Sequence, residues 1–205
     1  MKSFRRWLPP LLAGLLITAC VPASAPRTDS WQALRQADGT VLWLGEYRFV
    51  PPPESWQVID LDDRDYSLAL YKPCLDKAPG ETFCESTMAY AEEPFGYSRE
   101  LEPRAREFLK RHLWASRVIF STPELIPVTI GGRDALVMQV AGEEPVKHHR
   151  VQTRIVFMHR GERVVAFFIN QWRGGETPFS EEDFSEFDRF VASFRFVKPS
   201  FYETL

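Results

Sequence analysis

The stretch VVAFFINQW, residues 164–172, decides the fold of this 205-residue chain. Its first six residues are apolar without alternation, which is typical of a strand buried on both faces. A second β-rich run covers residues 151–159, and the two runs flank a polar turn at residues 160–163 that contains Gly161. The sequence therefore predicts a β-hairpin whose second strand lies at the centre of a sheet covered on both sides.

A helix is predicted soon after this hairpin, over residues 180–193. Ser180 is suited to the N-cap, acidic residues 181–183 follow in the first turn, and Phe179 and Phe184 are placed to form a hydrophobic staple. One apolar stripe runs along the helix and consists of Phe184, Phe187, Phe190, Val191 and Phe194. This spacing predicts that the helix packs on the sheet as core and does not form a cofactor site.

The rest of the body is predicted to contain short strands and one further helix. Residues 102–114 have apolar side chains at helical spacing, and Pro103 suits a first turn. Strands are predicted at residues 41–44, 47–50, 56–61, 66–71, 86–90, 128–130, 135–140 and 194–197. Further predictions are a short helix at residues 31–37, a proline stop at residues 51–53, and a connection bracketed by Pro123 and Pro127.

Helices that cover a mostly antiparallel sheet define an α+β sandwich. Tyr47-Arg48-Phe49 followed by Pro51 to Trp56 is similar to the opening motif of the PsbP/Mog1-like fold. The closing helix and strand of that fold resemble Phe187, Phe190, Ser193-Phe194 and Phe196. The resemblance covers residues 41–197 and implies an α/β/α sandwich that serves as a scaffold for binding and assembly. It assigns no binding residue to a position in this chain.

The first twenty residues resemble a bacterial lipoprotein signal peptide. Basic residues precede a short apolar core, and Ile17-Thr18-Ala19-Cys20 resembles a lipobox, which implies lipidation of Cys20 as the mature N-terminus. Alternatives are an ordinary signal peptide cut near Ala23 or Ala25, and an uncleaved anchor. Val21 stands where an aspartate would favour the inner membrane, so we expect an anchor in the outer membrane with the body facing the periplasm.

Three regions are therefore expected. They are a signal peptide at residues 1–19, a lipidated N-terminus and flexible tether at residues 20–38, and one globular domain at residues 39–205. The chain has 25 basic and 28 acidic residues, and residues 1–19 hold three of the basic ones, so the mature protein would carry 22 against 28, a net charge of −6. This balance without a basic cluster argues against nucleic acid as a partner.

Cys74 and Cys84 are the other two cysteines of the chain. Export places them in an oxidising compartment, where a disulfide between them is expected to stabilise the fold by about 2–3 kcal/mol. A redox or metal-binding pair is the competing interpretation. The nine residues between the two thiols fit neither the spacing of redox dithiols nor that of a zinc site.

Patterns that indicate catalysis or cofactor binding are missing from the sequence. It has no glycine-rich phosphate loop and no nucleophile elbow, and Asp60, Asp62 and Asp63 lack the glycine and distal glutamate of a calcium loop. Adjacent residues of an extended chain point to opposite faces, so His148-His149 is a poor chelating pair. His112 is expected at the edge of the core, and His159 at a turn. No cofactor or metal is expected.

The polar and aromatic residues Asn170, Gln171, Trp172 and Arg173 follow the apolar part of the central strand, where we expect a binding surface. An ordinary strand end is the alternative. The favoured function is non-catalytic binding or assembly in the cell envelope with a protein partner. A periplasmic hydrolase stays open because catalytic triads assemble from residues distant in sequence, and so does a carrier of a small apolar ligand.

The anchor is tested by Cys20→Ser. Without the thiol no thioether-linked lipid can form, so we expect the variant to stay unprocessed or to move to the soluble periplasmic fraction. Fractionation and immunoblotting of wild type and variant decide the matter. A variant that is processed and remains with the membranes as wild type does would contradict the lipoprotein assignment.

Overall fold

The computed structural model describes residues 35–43, 45–59, 68–74, 80, 83–93, 100–112, 118–121, 124–161 and 163–197. Within these ranges the strands are β1 (Val41–Trp43), β2 (Tyr47–Phe49), β3 (Gln57–Val58), β4 (Leu68–Pro73), β5 (Cys84–Glu93), β6 (Ile119–Phe120), β7 (Ile126–Ile130), β8 (Arg133–Glu144), β9 (His149–Arg160), β10 (Arg163–Arg173) and β11 (Arg195–Phe196). The helices are α1 (Leu101–His112) and α2 (Glu181–Ser193). Neither helix is long and apolar enough to cross a membrane.

Strand β10 lies inside an antiparallel sheet of eight strands, as its apolar sequence predicts. The sheet has the order β3-β4-β5-β10-β9-β8-β6, and β7 also pairs with β8. Phe168 of β10 faces Ala89 of β5 on one side and Ile155 of β9 on the other. The predicted hairpin of residues 151–172 is therefore confirmed, and so is the predicted α+β class.

One face of this sheet is covered by α2 together with a second sheet of order β1-β2-β11. The apolar stripe of α2 packs into a cluster with Val165, Phe167 and Ile169 of β10. Phe49 of β2 stacks on Phe194 at the end of α2, with ring centroids 5.5 Å apart and planes 3° from parallel. The closing helix is therefore part of the core, as its sequence predicts.

Helix α1 covers the opposite face. Its residues Ala105, Phe108 and Leu109 form a second apolar cluster with side chains that include Val164 and Ala166 of β10. The rings of Phe108 and Phe157 meet edge to face at 5.5 Å. Alternate residues of β10 thus enter two different clusters, which is how a strand with no polar face is buried.

A buried arginine joins the small sheet to the large one. The Nη1 atom of Arg160 donates to Oε2 of Glu92 at 2.7 Å, and Nη2 lies 3.3 Å from Oε2 of Glu46. The guanidinium also lies over the rings of Tyr47 and Phe196, at 5.0 and 4.9 Å from their centroids. Its charge is paired and its flat faces contact aromatic rings, which makes the burial of an arginine tolerable.

The ends of β4 and β5 are joined by the predicted disulfide between Cys74 and Cys84, whose Cα atoms are 5.4 Å apart. The N-cap prediction for α2 is also confirmed, because Ser180 Oγ accepts a hydrogen bond from the Asp183 amide at 3.1 Å. Strands β3 and β4 pair where the hairpin of residues 56–71 is predicted. Its acidic turn, residues 60–67, lies outside the described residues.

Two local predictions are wrong. Arg35 forms a β-bridge with Val41, and residues 37–38 form a turn, so this part of the predicted helix at residues 31–37 is not helical. The other residues of that predicted helix, residues 31–34, lie outside the described residues, and so do residues 113–117 and Pro123.

The second wrong prediction concerns Pro127, which lies within β7 opposite Leu136 and not in a connection. The position is tolerated because a proline on an edge strand costs no ladder hydrogen bond.

The role of α2 is tested by two truncations of the mature chain. A chain that ends at residue 179 loses β11 and the side chains of Phe184, Phe187, Phe190 and Phe194. Losing one buried Phe costs about 3–5 kcal/mol of a total stability of about 5–15 kcal/mol, so this chain is expected not to fold. Removal of residues 21–30 is expected to change the melting temperature little. Thermal unfolding by circular dichroism measures both. Cooperative unfolding of the first variant, or a large loss in the second, would contradict this architecture.

Candidate functional site

The four residues predicted as a binding surface alternate between the two faces of the sheet. Gln171 lies opposite Ser86, which contacts Asp183 of α2, so Gln171 and Arg173 face α2. Asn170 and Trp172 share the face of Ala166, which packs in the cluster of α1. The four side chains therefore belong to two environments and do not form one surface.

On the α2 face, Gln171 and Arg173 are 0% and 2% exposed. The Gln171 side chain binds both backbone groups of Ser180: Nε2 donates to the carbonyl oxygen, and Oε1 accepts from the amide, each at 2.7 Å. Arg173 donates to Ser86 Oγ at 3.1 Å and to Gln171 Oε1 at 2.7 Å. Both residues therefore hold the start of α2 on the sheet.

This network continues to an ion cluster beneath α2. Lys72 Nζ lies 2.8 Å from Asp183 Oδ1 and 2.8 Å from Glu186 Oε2. Trp56 Nε1 donates to the same Glu186 oxygen at 2.7 Å. Burial lowers the pKa of Lys72, but the hydrogen bonds and charges of Asp183 and Glu186 outweigh it, so the pKa lies above its ordinary value. With Arg173, the cluster contains two cations and two anions and is balanced in charge.

A cleft of about 480 Å³ lies beside this cluster, between the disulfide and the start of α2. The charged residues Lys72, Asp183 and Glu186 in its wall bind one another, and Arg173 binds Ser86 and Gln171. The pairing of these four charged groups with each other and with their neighbours is therefore explained by the stability of the fold.

The opposite face has a different character around Asn170 and Trp172. Thr87 lies directly across from Asn170, Glu85 lies across from Trp172, and Tyr71 lies across from Thr87 on the next strand. All five side chains are partly exposed. We call Tyr71, Glu85, Thr87, Asn170 and Trp172 the sheet-face cluster.

Hydrogen bonds distinguish the sheet-face cluster from the α2 face. Thr153 Oγ1 donates to Asn170 Oδ1 at 2.7 Å. Within the described part of the chain, the side chains of the cluster make no other hydrogen bond or ion pair. Four polar groups therefore have no partner there: the Tyr71 phenol, the Glu85 carboxylate, the Asn170 amino group and the Trp172 indole N–H. Fully buried polar groups are almost always paired within the protein, whereas partly exposed groups such as these can bond to solvent instead. These groups are free to meet a ligand.

The environment raises the pKa of both acidic groups of the cluster, the Glu85 carboxyl and the Tyr71 phenol. Burial raises the pKa of the Glu85 carboxyl, and the charge of Arg173 opposes this effect only in part. Burial, together with the charge of Glu85, raises the pKa of the Tyr71 phenol. A group held in an unfavourable environment without a structural partner is a candidate for a functional role.

The length of α1 explains why the cluster is left uncovered by that helix. A helix of 12 residues is about 18 Å long, whereas a strand of 11 residues is about 36 Å long. Helix α1 packs on the half of β10 that contains Val164 and Ala166. The other half, with Asn170 and Trp172, extends beyond it.

Tyr71, Glu85 and Thr87 were not predicted as site residues from the sequence. The signal that could have found them is alternation, because Glu85 and Thr87 are polar at every second position of a strand that continues into the buried run Met88 to Ala91. Recognising the cluster also requires the strand order, since it joins three strands whose pairing is not local in sequence.

The histidines whose side chains are described lie in separate environments. His148 lies in a turn at φ 54°, with Nδ1 3.0 Å from Glu143 Oε1, whereas the His149 ring stacks on Phe83 at 4.3 Å. His159 is exposed on β9, and the side chain of His112 lies outside the description. Among the described residues, no three His, Cys, Asp or Glu side chains are grouped to hold a metal ion.

Neither a protein-family profile nor a curated protein matches the chain. Solved structures that resemble it include a PsbP protein (CyanoP) of Synechocystis, at 12% identity over 73% of this chain and 86% of that one, with a TM-score of 0.44. LpqN of Mycobacterium tuberculosis, which is involved in cell envelope biogenesis, is 13% identical over 72% of this chain and 82% of its own, with a TM-score of 0.39.

A protein of Bacteroides thetaiotaomicron is 12% identical over 74% of this chain, with a TM-score of 0.41, and the chain spans only 45% of that protein. A PsbP protein is thus among the structures that this chain resembles. The α+β class itself rests on the sheets and helices described above, and similarity at this level carries no inference about ligands or partners.

The unfavourable environment of Glu85 is tested by Glu85→Gln. The pKa of Glu85 is raised in the folded state, so the cost of an ionised, partly buried carboxylate is absent well below the unfolded pKa of about 4.3 and is fully present once the pH exceeds the folded-state pKa. The variant is therefore expected to be more stable at pH 7, by about 0.5 kcal/mol or less because solvent screens the group. At about pH 3 both states are protonated, and the two proteins are expected to be equally stable.

Urea unfolding at both pH values measures the difference, with Glu176→Gln as the control because Glu176 is exposed. A Glu85→Gln variant that is less stable than wild type at neutral pH would show that Glu85 has a structural partner.

Proposed function

We propose that the protein is a lipid-anchored component of the cell envelope that binds a ligand through the sheet-face cluster without catalysing a reaction. The observation that carries this proposal is the contrast between the two faces of the sheet. Polar groups on the α2 face bind one another, whereas those of the sheet-face cluster are partly exposed and, apart from the Asn170 carbonyl oxygen, have no partner among the described residues.

The location follows from the N-terminal sequence. Ile17 to Cys20 resembles a lipobox, and residues 21–30 are rich in Pro, Ala and Ser, which suits a spacer between lipid and body. The Cys74–Cys84 disulfide is in keeping with an oxidising compartment such as the periplasm. We therefore propose an anchor in the outer membrane through Cys20, with the body on the periplasmic side.

The composition of the cluster favours binding over catalysis. It contains one carboxylate, Glu85, whereas glycoside hydrolysis normally uses two. An activated nucleophile needs a base within hydrogen-bond reach, and Thr87 is not hydrogen-bonded to Glu85 or to any other described side chain. An apolar ligand would leave the phenol, the amide and the carboxylate without partners, which costs free energy. A hydrolase and an apolar carrier are both less well supported.

Hydroxyl-radical footprinting with mass spectrometry tests the proposal without altering the site. Oxidation of Trp172 and Tyr71 is compared between the protein in native envelopes and the purified lipoprotein. A ligand on the sheet-face cluster is expected to slow oxidation of both residues in envelopes several-fold. Trp43 of the small sheet provides the control, because it is partly buried and lies outside the sheet-face cluster. Equal oxidation rates of Trp172 and Tyr71 in both samples would overturn the proposed function.

A further inference from the structure

We infer that the ligand of the sheet-face cluster is a neutral saccharide. This inference rests on the proposed function and specifies its ligand. The reasons are the mixture of free donors and acceptors, the spacing of the aromatic rings and the lack of a cation in the cluster.

The cluster offers both kinds of hydrogen-bonding group at close range. The Asn170 amino group and the Trp172 indole nitrogen donate, the Glu85 carboxylate accepts, and the hydroxyl groups of Thr87 and Tyr71 do both. A ligand that satisfies all of them must itself present many groups that donate and accept. Sugar hydroxyl groups do this, since each is a donor and an acceptor at once.

The aromatic side chains are spaced to suit linked sugar rings. Trp172 lies opposite Glu85 of β5, whereas Tyr71 of β4 lies opposite Thr87, so the two residues are separated by two strand spacings and by two residues along the strands. Their Cα atoms are therefore about 12 Å apart. This is the scale of a short run of linked sugar rings. Indole and phenol rings present flat apolar faces beside a polar tip, which suits the C–H face of a pyranose together with its hydroxyl edge. Glu85 and Thr87 lie on β5, the strand between those of Trp172 and Tyr71, where their polar groups could meet the hydroxyl groups of a sugar.

Charge argues against anionic ligands. Glu85 is the one carboxyl group of the cluster, and the cluster contains no lysine or arginine. Phosphate groups, acidic peptides and acidic sugars are recognised by paired cations, which the cluster does not provide. A neutral ligand avoids repulsion by Glu85.

Backbone geometry argues against a polypeptide. An extended peptide is bound by the free edge of a sheet, but β5 and β10 are interior strands whose backbone groups are paired on both sides. A stable protein interface needs about 800 Å² from each partner, with an apolar centre. The centre of this face is formed by Glu85, Thr87 and Asn170, all of them polar.

Titration calorimetry of the mature full-length lipoprotein tests the inference. The protein is held in a detergent without a sugar headgroup, and the probes are chitotetraose, cellotetraose and maltotetraose. At least one probe is expected to bind. Trp172→Ala is expected to weaken its binding about tenfold, which is the scale of a lost aromatic contact. Asn170→Ala and Glu85→Gln are expected to weaken it several-fold, and Glu85→Gln should do so while leaving the protein at least as stable as wild type.

The matched controls are Trp43→Ala and Glu182→Gln, because neither residue belongs to the sheet-face cluster. Both variants are expected to bind the saccharide probe with the affinity of wild type. Thermal unfolding confirms that each variant is folded, and the Asn170 and Glu85 variants retain the test if Trp172→Ala does not fold. Binding that is unchanged in the folded cluster variants would place the sugar elsewhere and overturn the inference.

Footprinting separates failure of this inference from failure of the proposed function. If envelopes protect Trp172 but no probe binds at about 10 mM, the saccharide is ruled out and the binding function stands. If protease treatment of envelopes removes the protection while lysozyme does not, the ligand is a protein and the inference is overturned. Loss of the protection after lysozyme treatment, but not after protease treatment, would support a saccharide ligand. If Trp172 and Tyr71 are not protected from oxidation in envelopes, the proposed function itself is overturned.

Discussion

The burial of β10 on both faces is the constraint on which the rest of the structure depends. Every side chain from Val164 to Phe167 is fully enclosed, so a layer of structure is required on each side of the sheet. On one side α2 and the small sheet supply that layer, with Phe49, Phe190 and Phe194 in ring contact. On the other side α1 is about half as long as the strand it covers. The short helix therefore covers only part of this face, and the sheet-face cluster lies on the part that extends beyond it.

The two faces near the end of β10 show two ways of placing polar groups next to an apolar core. On the α2 face, Lys72, Asp183 and Glu186 are nearly enclosed, and each is paired. Removing one partner of such a set would leave a buried charge uncompensated, which costs about 3–5 kcal/mol. On the other face, most groups of similar polarity have no partner among the described residues and reach solvent instead. The first arrangement is explained by stability. The second contributes little to stability, and it is the one to which we assign a function.

The sequence predicts elements whose signals are local and misses features that depend on pairing. The hairpin of β9 and β10 and the helix α2 follow from an unbroken apolar run, a serine N-cap and a stripe of phenylalanines. Pro127 was misplaced because a proline is tolerated on an edge strand, and edge position is not visible locally. Only two of the five residues of the sheet-face cluster, Asn170 and Trp172, were predicted, because strand pairing is not visible locally either. Residues 170–173 were treated as one group, but alternation sends Gln171 and Arg173 toward α2, where Ser86 and Asp183 meet across a separation of 97 residues.

The disulfide has a position that bears on the site as well as on stability. Cys74 and Cys84 close the ends of β4 and β5 next to the pair formed by Pro73 and Glu85. Tyr71 and Glu85 lie on these two strands, so the bond limits how far they can separate. A rigid site loses less conformational entropy when a ligand binds. The Cys74–Cys84 bond therefore has two effects: it closes a loop of the fold, and it limits the separation of two residues of the sheet-face cluster.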